Sequence, residues 1–218
     1  MRPTVMQLLL RFWTRPRVVV REGLSHPSWP RETLLAVFYG IALAMSHARD
    51  LGWGELYSLP GILLRILAYG IPLGLFVVAV ISGGMRLVRK VAGGNGSFRD
   101  NVTAVAFATI PAMEVLLLTF GGLTTFLGRN AFVHASTTDI HGIPLNLGTV
   151  VTVIMIVVVV PFVLVFLPWT ITITVKSIGE ANGIKGWRAL GLALMGLLLM
   201  MVAGLIVQGL KTLLGINL

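Results

Sequence analysis

Five long apolar runs, separated by short polar segments, dominate the sequence. They cover residues 33–51, 61–82, 101–127, 150–175 and 189–210. A helix of about 20 residues is long enough to cross a bilayer core of roughly 30 Å. The pattern therefore predicts an all-α protein, an integral membrane bundle of five transmembrane helices. The first run is the shortest, because His47, Arg49 and Asp50 crowd its end.

Ahead of these runs, residues 4–24 show the pattern of an amphipathic helix. Apolar side chains recur at the spacing of one helix face, at Val5, Leu8, Leu9 and Phe12. Arginines surround this face, at Arg11, Arg15, Arg17 and Arg21. We expect an interfacial helix whose arginines lie among anionic lipid head groups; the alternative is a helix packed on the protein's own cytoplasmic side. The predicted division is a basic cytoplasmic segment, residues 1–32, and a five-span domain, residues 33–218.

Lysines and arginines are unevenly distributed between the two sides of the predicted membrane. One side receives Arg2, Arg11, Arg15, Arg17, Arg21, Arg31, Arg86, Arg89, Lys90, Arg99, Lys176, Lys185 and Arg188. The other side receives Arg49, Arg65, Arg129 and Lys211. Because cytoplasmic loops carry the excess of Lys and Arg, we expect the N-terminus in the cytoplasm and the C-terminus outside.

The composition excludes an ordinary soluble domain, since 56% of the residues are hydrophobic and only 11% are charged. The net charge of +9 is spread over short segments between apolar runs, so no nucleic-acid partner is expected. The absence of cysteine excludes disulfides and cysteine-based metal or redox sites. His134, Asp139 and His141 lie in an outer loop without a fourth ligand, and we interpret that loop as solvated. No metal site, cofactor or catalytic set is predicted, and an enzyme is not expected.

Four prolines fall within the predicted spans, at Pro72, Pro111, Pro161 and Pro168. Each removes a backbone hydrogen bond from its helix, so each is a candidate hinge as well as a candidate structural kink. The small-residue pairs Gly70 with Gly74 and Gly40 with Ala44 indicate close helix packing.

Glu114 and Arg65 are the ionisable residues expected deepest in the hydrocarbon. An ionised side chain at that depth costs roughly 2.5–3.5 kcal/mol on insertion scales. They form a candidate intramembrane polar site, in which Glu114 serves as a structural hydrogen-bonding group, as a proton or ion relay, or as a group that faces water.

A candidate cytoplasmic interaction face combines residues from three polar segments. Its members are Arg15, Arg17, Arg89, Lys90, Arg99, Glu180, Lys185, Trp187 and Arg188. Ser97 and Asp100 have the spacing of a helix capping box, and Asn182 with Gly183 predicts a turn. Trp187 is expected to anchor the last span at the membrane interface.

Three segments resemble the Yip family, the five-span membrane domain named for Ypt/Rab-interacting proteins. They read LLLRFWTRPRVVVREGLSHP, GGNGSFRDNVTAVAFATIP and PWTITITVKSIGEANGIKGWRAL. Eukaryotic members carry an Asp-Leu-Tyr-Gly-Pro element before the first span, where this chain reads HPSWPRETLL. The chain therefore resembles the bacterial branch of the family. The resemblance implies five spans, a cytoplasmic N-terminus and a role in organising membrane or other proteins.

The leading hypothesis is a multi-pass protein of the bacterial inner membrane that acts as a membrane-organising or protein-interaction scaffold. Its expected partners are anionic lipid head groups and a protein not identified by the sequence, and self-association between copies is a further expectation. The alternative is a small transporter or ion-conducting protein that uses Glu114.

Overall fold

A computed structural model describes residues 11–133 and 160–213, which form helices and turns without any strand. The helices are α1 (Pro16–Ser25), α2 (Trp29–Asp50), α3 (Trp53–Leu56), α4 (Leu59–Val88), α5 (Phe98–Ala108), α6 (Ile110–Leu127), α7 (Val160–Asn182) and α8 (Trp187–Leu213). A 3-10 helix, Gly128–Phe132, follows α6. The all-α prediction is confirmed for these residues.

Two of the described stretches are long and apolar enough to cross a membrane. They are Leu59–Val88, with a mean hydropathy of 2.2, and Phe98–Thr125, with a mean hydropathy of 1.8. They coincide with the second and third apolar runs of the sequence. Only 28% of the most apolar window in Leu59–Val88 is buried within the protein, against 56% in Phe98–Thr125. The first stretch therefore presents most of its apolar side chains outward.

The N-terminal segment does not form the single helix predicted for residues 4–24. Residues 11–14 are helical, and a separate helix, α1, begins at Pro16. Arg15, between them, has a φ of −136° and a ψ of 56°, outside the helical region. The cause is Pro16, which disfavours helical angles in the residue before it. Residues 4–10 of the prediction lie outside the described residues.

The chain divides into two compact units. The first unit comprises Met1–Leu35, Leu75–Thr109 and Ile173–Leu218. The second comprises Ala36–Gly74 and Ile110–Thr172. Helices α2, α4 and α7 each contribute residues to both units, and the predicted boundary falls inside α2.

Glycines in the second unit allow α2 and α4 to approach each other very closely. A Cβ atom on Gly40 would collide with backbone atoms of Gly70 and Gly74, and one on Gly74 would collide with the Ala36 carbonyl. No side chain fits at this crossing, so the packing role predicted for these glycines is confirmed. A cluster of buried side chains completes the unit: Ala44, Met45, Ala48, Ile62, Ile66, Phe120, Ala131 and Phe132.

The candidate hinge prolines have different surroundings. Pro72 and Pro168 lie inside α4 and α7, and neither helix is broken there. Pro111 follows the change from α5 to α6 at Thr109, whose φ of −77° and ψ of −15° remain helical. The missing amide of Pro111 accounts for an interruption of the hydrogen-bond pattern that leaves the apolar stretch continuous. Pro161 is the second residue of α7.

The end of α7 is fixed by Gly183, whose φ of 66° lies in the left-handed region. Its position allows the Ile184 amide to donate a 3.0 Å hydrogen bond to the Gly179 carbonyl. This geometry is the Schellman arrangement, in which glycine carries the positive φ at no steric cost. The turn predicted at Asn182 and Gly183 is confirmed.

Candidate functional site

The basic segments of the sequence meet in the first compact unit. All nine residues of the predicted interaction face belong to it: Arg15, Arg17, Arg89, Lys90, Arg99, Glu180, Lys185, Trp187 and Arg188. Arg49, Arg65 and Arg129, which were assigned to the opposite side of the membrane, belong to the second unit. Basic residues that were assigned to the cytoplasmic side thus belong to the first unit, and those assigned to the outer side belong to the second, apart from Lys211.

A buried carboxylate lies among these basic residues. Glu32 is 1% exposed, and its Oε1 accepts hydrogen bonds from the Ser28 backbone amide at 3.1 Å and the Thr103 hydroxyl at 2.9 Å. Arg31 Nη2 donates to the same oxygen at 3.3 Å. Glu32 Oε2 lies 3.1 Å from Arg99 Nη2, as an ion pair without the alignment of a hydrogen bond. We call Arg31, Glu32, Arg99 and Thr103 the Glu32 cluster.

Aromatic rings hold the two guanidinium groups of the Glu32 cluster in place. Arg99 Cζ lies 3.8 Å from the centroid of the Trp29 ring, and Arg31 Cζ lies 5.0 Å from that of Phe107. A guanidinium at such distances is attracted to the ring face, by about 0.5–2 kcal/mol depending on solvation. The arginine side chains retain 24% and 20% exposure, so the cluster borders the surface.

A second buried contact joins α5 to the end of α7. Asn182 Nδ2 donates a 2.8 Å hydrogen bond to Asn101 Oδ1 and a 3.0 Å bond to the Ile178 carbonyl. The Asn182 carbonyl accepts from the Asn95 amide at 3.2 Å, which holds the loop before α5. Arg89 donates from its Nη1 to the Gly96 carbonyl in the same loop. These bonds fix the loop between α4 and α5 against the loop between α7 and α8.

The start of α5 is capped as the sequence predicted. The Asp100 amide donates to Ser97 Oγ at 3.1 Å, and the Ser97 amide donates to Asp100 Oδ2 at 2.8 Å. Both donors would otherwise lack a partner within the helix. The capping box is therefore confirmed, and it sets the position of Arg99 at the second residue of α5.

Most of the remaining predicted face is open to solvent. Arg15, Arg17, Lys90, Lys185, Trp187 and Arg188 are exposed, with Trp187 at 84%. Glu180 is 21% exposed and accepts from Arg21 Nε at 2.7 Å, which links α7 to α1. Exposed ion pairs of this kind contribute little stability, about 0–1 kcal/mol, so this pair orients the two helices without greatly stabilising them.

The apolar face of the N-terminal segment packs on the protein itself. Phe12, Val19 and Val20 are at most 1% exposed, and the Phe12 ring lies 6.0 Å from the Phe107 ring. A Cβ on Gly23 would meet the Phe107 ring at 2.6 Å, which leaves no space for a side chain there. For these residues the structure favours packing on the protein over burial in lipid, while the arginines of the segment stay outward.

The two predicted intramembrane charges both belong to the second unit. Glu114 is half-buried on α6, one turn after the interruption at Thr109. Arg65 is exposed; its Nη1 donates to the Gly61 carbonyl at 3.3 Å and its Cζ lies 3.6 Å from the Tyr57 ring centroid. The Arg65 guanidinium, on α4, therefore lies over the ring of Tyr57, which precedes that helix.

Four residues of the site were not predicted as site residues from the sequence: Trp29, Arg31, Glu32 and Thr103. The available signal was an acidic residue at the start of an apolar run, next to Arg31 and a tryptophan. Its significance depends on a partner 71 residues further along the chain, Thr103. His134, Asp139 and His141 lie outside the described residues.

Comparison of the chain with protein-family models, with curated proteins and with solved structures finds no match.

Proposed function

We propose that the protein is a multi-pass membrane protein whose basic cytoplasmic surface binds anionic lipids and serves as a scaffold. Its five spans, cytoplasmic N-terminus and outer C-terminus are part of this proposal. The proposed role is membrane organisation or protein interaction, without enzymatic chemistry. A bacterial inner membrane is the proposed location, and self-association is the proposed assembly.

The observation that carries the proposal is the gathering of three basic segments in one compact unit. These segments are separated in the sequence by apolar runs, and their excess of Lys and Arg is typical of the cytoplasmic side of a membrane protein. Each basic residue near an anionic membrane surface contributes about 1 kcal/mol of attraction. The exposed basic residues of the predicted interaction face are therefore numerous enough to give a strong preference for anionic lipid.

We propose on the sequence resemblance alone that the protein belongs to the Yip family. The three segments on which the resemblance rests contact one another through Phe12 with Phe107, Asn101 with Asn182, and Arg21 with Glu180. A shared structural role explains why these segments, rather than the spans, would retain a family pattern. Membership in the family remains part of the proposal.

Lipid binding by the reconstituted protein tests this function. We expect the protein in vesicles to enrich phosphatidylglycerol over phosphatidylcholine at its surface, measured with spin-labelled lipids of each type. A variant carrying Arg17→Gln, Lys90→Gln and Lys185→Gln should lose most of this preference. A control carrying Arg49→Gln and Arg129→Gln, which removes exposed basic residues of the second unit, should keep it. Equal binding of the two lipids by the unaltered protein would overturn the proposal.

A second candidate function is proton or cation conduction through Glu114. It is favoured by the half-burial of Glu114 just after the interruption at Thr109 and Pro111. Interrupted helices near a polar group are a recurrent way to build ion sites within membranes. Ion flux into liposomes that is present in the unaltered protein and absent in Glu114→Gln would establish this function. Absence of flux from the folded, unaltered protein would exclude it.

A further inference from the structure

Arg99 is held in place with much of its hydrogen-bonding capacity unused. Within the described part of the chain, Glu32 is the acidic group that its guanidinium contacts, through a single Nη2. Its Nε has no acceptor. An arginine presents five N–H donors in a fixed fork. The Nε–H of Arg99 is buried, so the donors open to a ligand are those of its two terminal nitrogens. The Trp29 ring at 3.8 Å and the Glu32 carboxylate together restrain the plane of this fork.

The Glu32 cluster by itself carries one more positive charge than negative charge. The Glu32 cluster contains two guanidinium groups, on Arg31 and Arg99, and one carboxylate, on Glu32. The adjacent acid, Asp100, is engaged by its Oδ2 with the Ser97 amide in the capping box. The cluster itself therefore attracts an anion, and the negative charge that Asp100 keeps in this hydrogen bond reduces the attraction.

The surroundings of Arg99 suit a phosphate that is attached to lipid. Trp29 is 53% exposed, and tryptophan is enriched at the level of lipid head groups. The same residue opens α2, whose following residues form the first predicted span. An arginine fork matches the oxygen spacing of a phosphate and binds it with two parallel hydrogen bonds. Because the guanidinium is already held, little side-chain entropy is lost on binding.

We propose that Arg99, restrained by Glu32 and Trp29, binds the phosphate of one anionic phospholipid head group. This inference rests on the proposed function, since it assumes that the first unit faces an anionic lipid surface. It differs from that function in locating one defined phosphate site within a broad basic surface.

The test is native mass spectrometry of the full-length protein released from detergent in the presence of phosphatidylglycerol or phosphatidylcholine. We expect one phosphatidylglycerol to be retained more strongly than the others. Arg99→Lys keeps the charge that Glu32 needs but lacks the fork, and it should weaken that first binding about tenfold, which corresponds to 1.4 kcal/mol. Arg17→Lys, the same change at an exposed arginine, should leave the binding unaltered.

Trp29→Leu provides a second variant, because it leaves the ion pair of Arg99 and Glu32 intact. It should also weaken the first binding and keep the helical circular dichroism spectrum. Inorganic phosphate and glycerol phosphate, added as competitors, should displace the lipid only weakly. Displacement at concentrations equal to that of the lipid would overturn a lipid site in favour of a soluble phosphate site.

The outcomes separate this inference from the proposed function. If the unaltered protein does not distinguish the two lipids, the proposed function fails and the phosphate site fails with it. If it prefers phosphatidylglycerol but Arg99→Lys and Trp29→Leu retain the first lipid as strongly, the phosphate site alone is overturned. An equal loss in Arg17→Lys would mean that the weakening is not particular to the position of Arg99, and this would also overturn the site.

Discussion

Asn182 donates a 2.8 Å hydrogen bond to Asn101, although the two residues lie 81 positions apart in the sequence. Both are at most 1% exposed, and each also bonds to the backbone of its own segment. The pair therefore joins α5 to the end of α7, two segments that apolar runs separate in the sequence. Because both side chains are buried, removal of Asn182 would leave Asn101 Oδ1 without a hydrogen-bond partner. The desolvation of that unpaired group would then destabilise the fold.

We expect Asn182→Ala to destabilise the protein by about 1–3 kcal/mol, because Asn101 Oδ1 would remain buried without a donor. The loop between α4 and α5 should exchange its amide hydrogens faster, and hydrogen exchange with mass spectrometry measures this. Asn95→Ala is the matched control, since Asn95 is exposed and its bond to Asn182 uses the backbone amide. Unchanged exchange in Asn182→Ala would show that the pair does not hold the loop.

We expect Glu32→Gln to destabilise the protein by about 3–5 kcal/mol. The substitution leaves Arg31 and Arg99 partly buried without a counter-charge, which is the costly way to break a buried ion pair. Thermal unfolding in detergent, followed by circular dichroism, measures the change. Glu22→Gln is the control, because Glu22 is 46% exposed and pairs with Arg11 on the surface; its effect should stay below about 1 kcal/mol. Equal effects of the two substitutions would contradict the importance of the buried cluster.

We expect Gly40→Ala to destabilise the protein by about 1–3 kcal/mol, because the added methyl group would overlap the backbone of α4. Gly83→Ala, in α4, has no atom within 4 Å of the added Cβ. It should be neutral or stabilising by up to about 1 kcal/mol, since alanine favours the helix more than glycine does. Thermal unfolding in detergent compares them, and a stable Gly40→Ala protein would argue against the close crossing.

The proposed topology predicts which residues an impermeant reagent reaches. The chain has no cysteine, so a single introduced cysteine can be labelled without first removing any native one. In intact inner-membrane spheroplasts, a charged maleimide should label Arg49→Cys and Arg129→Cys. Lys90→Cys and Lys185→Cys should react only after the membrane is permeabilised. Labelling of all four in intact spheroplasts would refute the assignment of the two sides.

The apolar helices and two of the helix ends followed from the sequence because the signals that define them are local. The apolar runs located α2, α4, α6 and α8, and the turn residues located the cap at Ser97 and the stop at Gly183. Each of these features depends on residues within one or two helical turns. Phe12 illustrates the limit of such reasoning, since an amphipathic pattern identifies an apolar face but does not distinguish lipid from Phe107 as its partner.

The Glu32 cluster was not predicted because its members are distant in the sequence. Arg31 and Arg99 were interpreted as topology signals, and a count of basic residues gives no information about a carboxylate between them. The pairing depends on how α2 and α5 are rotated about their axes. In helices rich in apolar residues on all sides, hydrophobic periodicity does not determine that rotation.

The crossing of α2 and α4 at Gly40, Gly70 and Gly74 has a consequence for recognising relatives of this protein. Its geometry excludes Cβ atoms, so a diverged chain can exchange every surrounding apolar side chain and still require these three glycines. Relatives can therefore be sought by a pattern of glycines: one glycine in an apolar helix, and two glycines four positions apart in the apolar helix that follows. Such a pattern can still be detected in a sequence after similarity in the rest of the membrane helices has been lost.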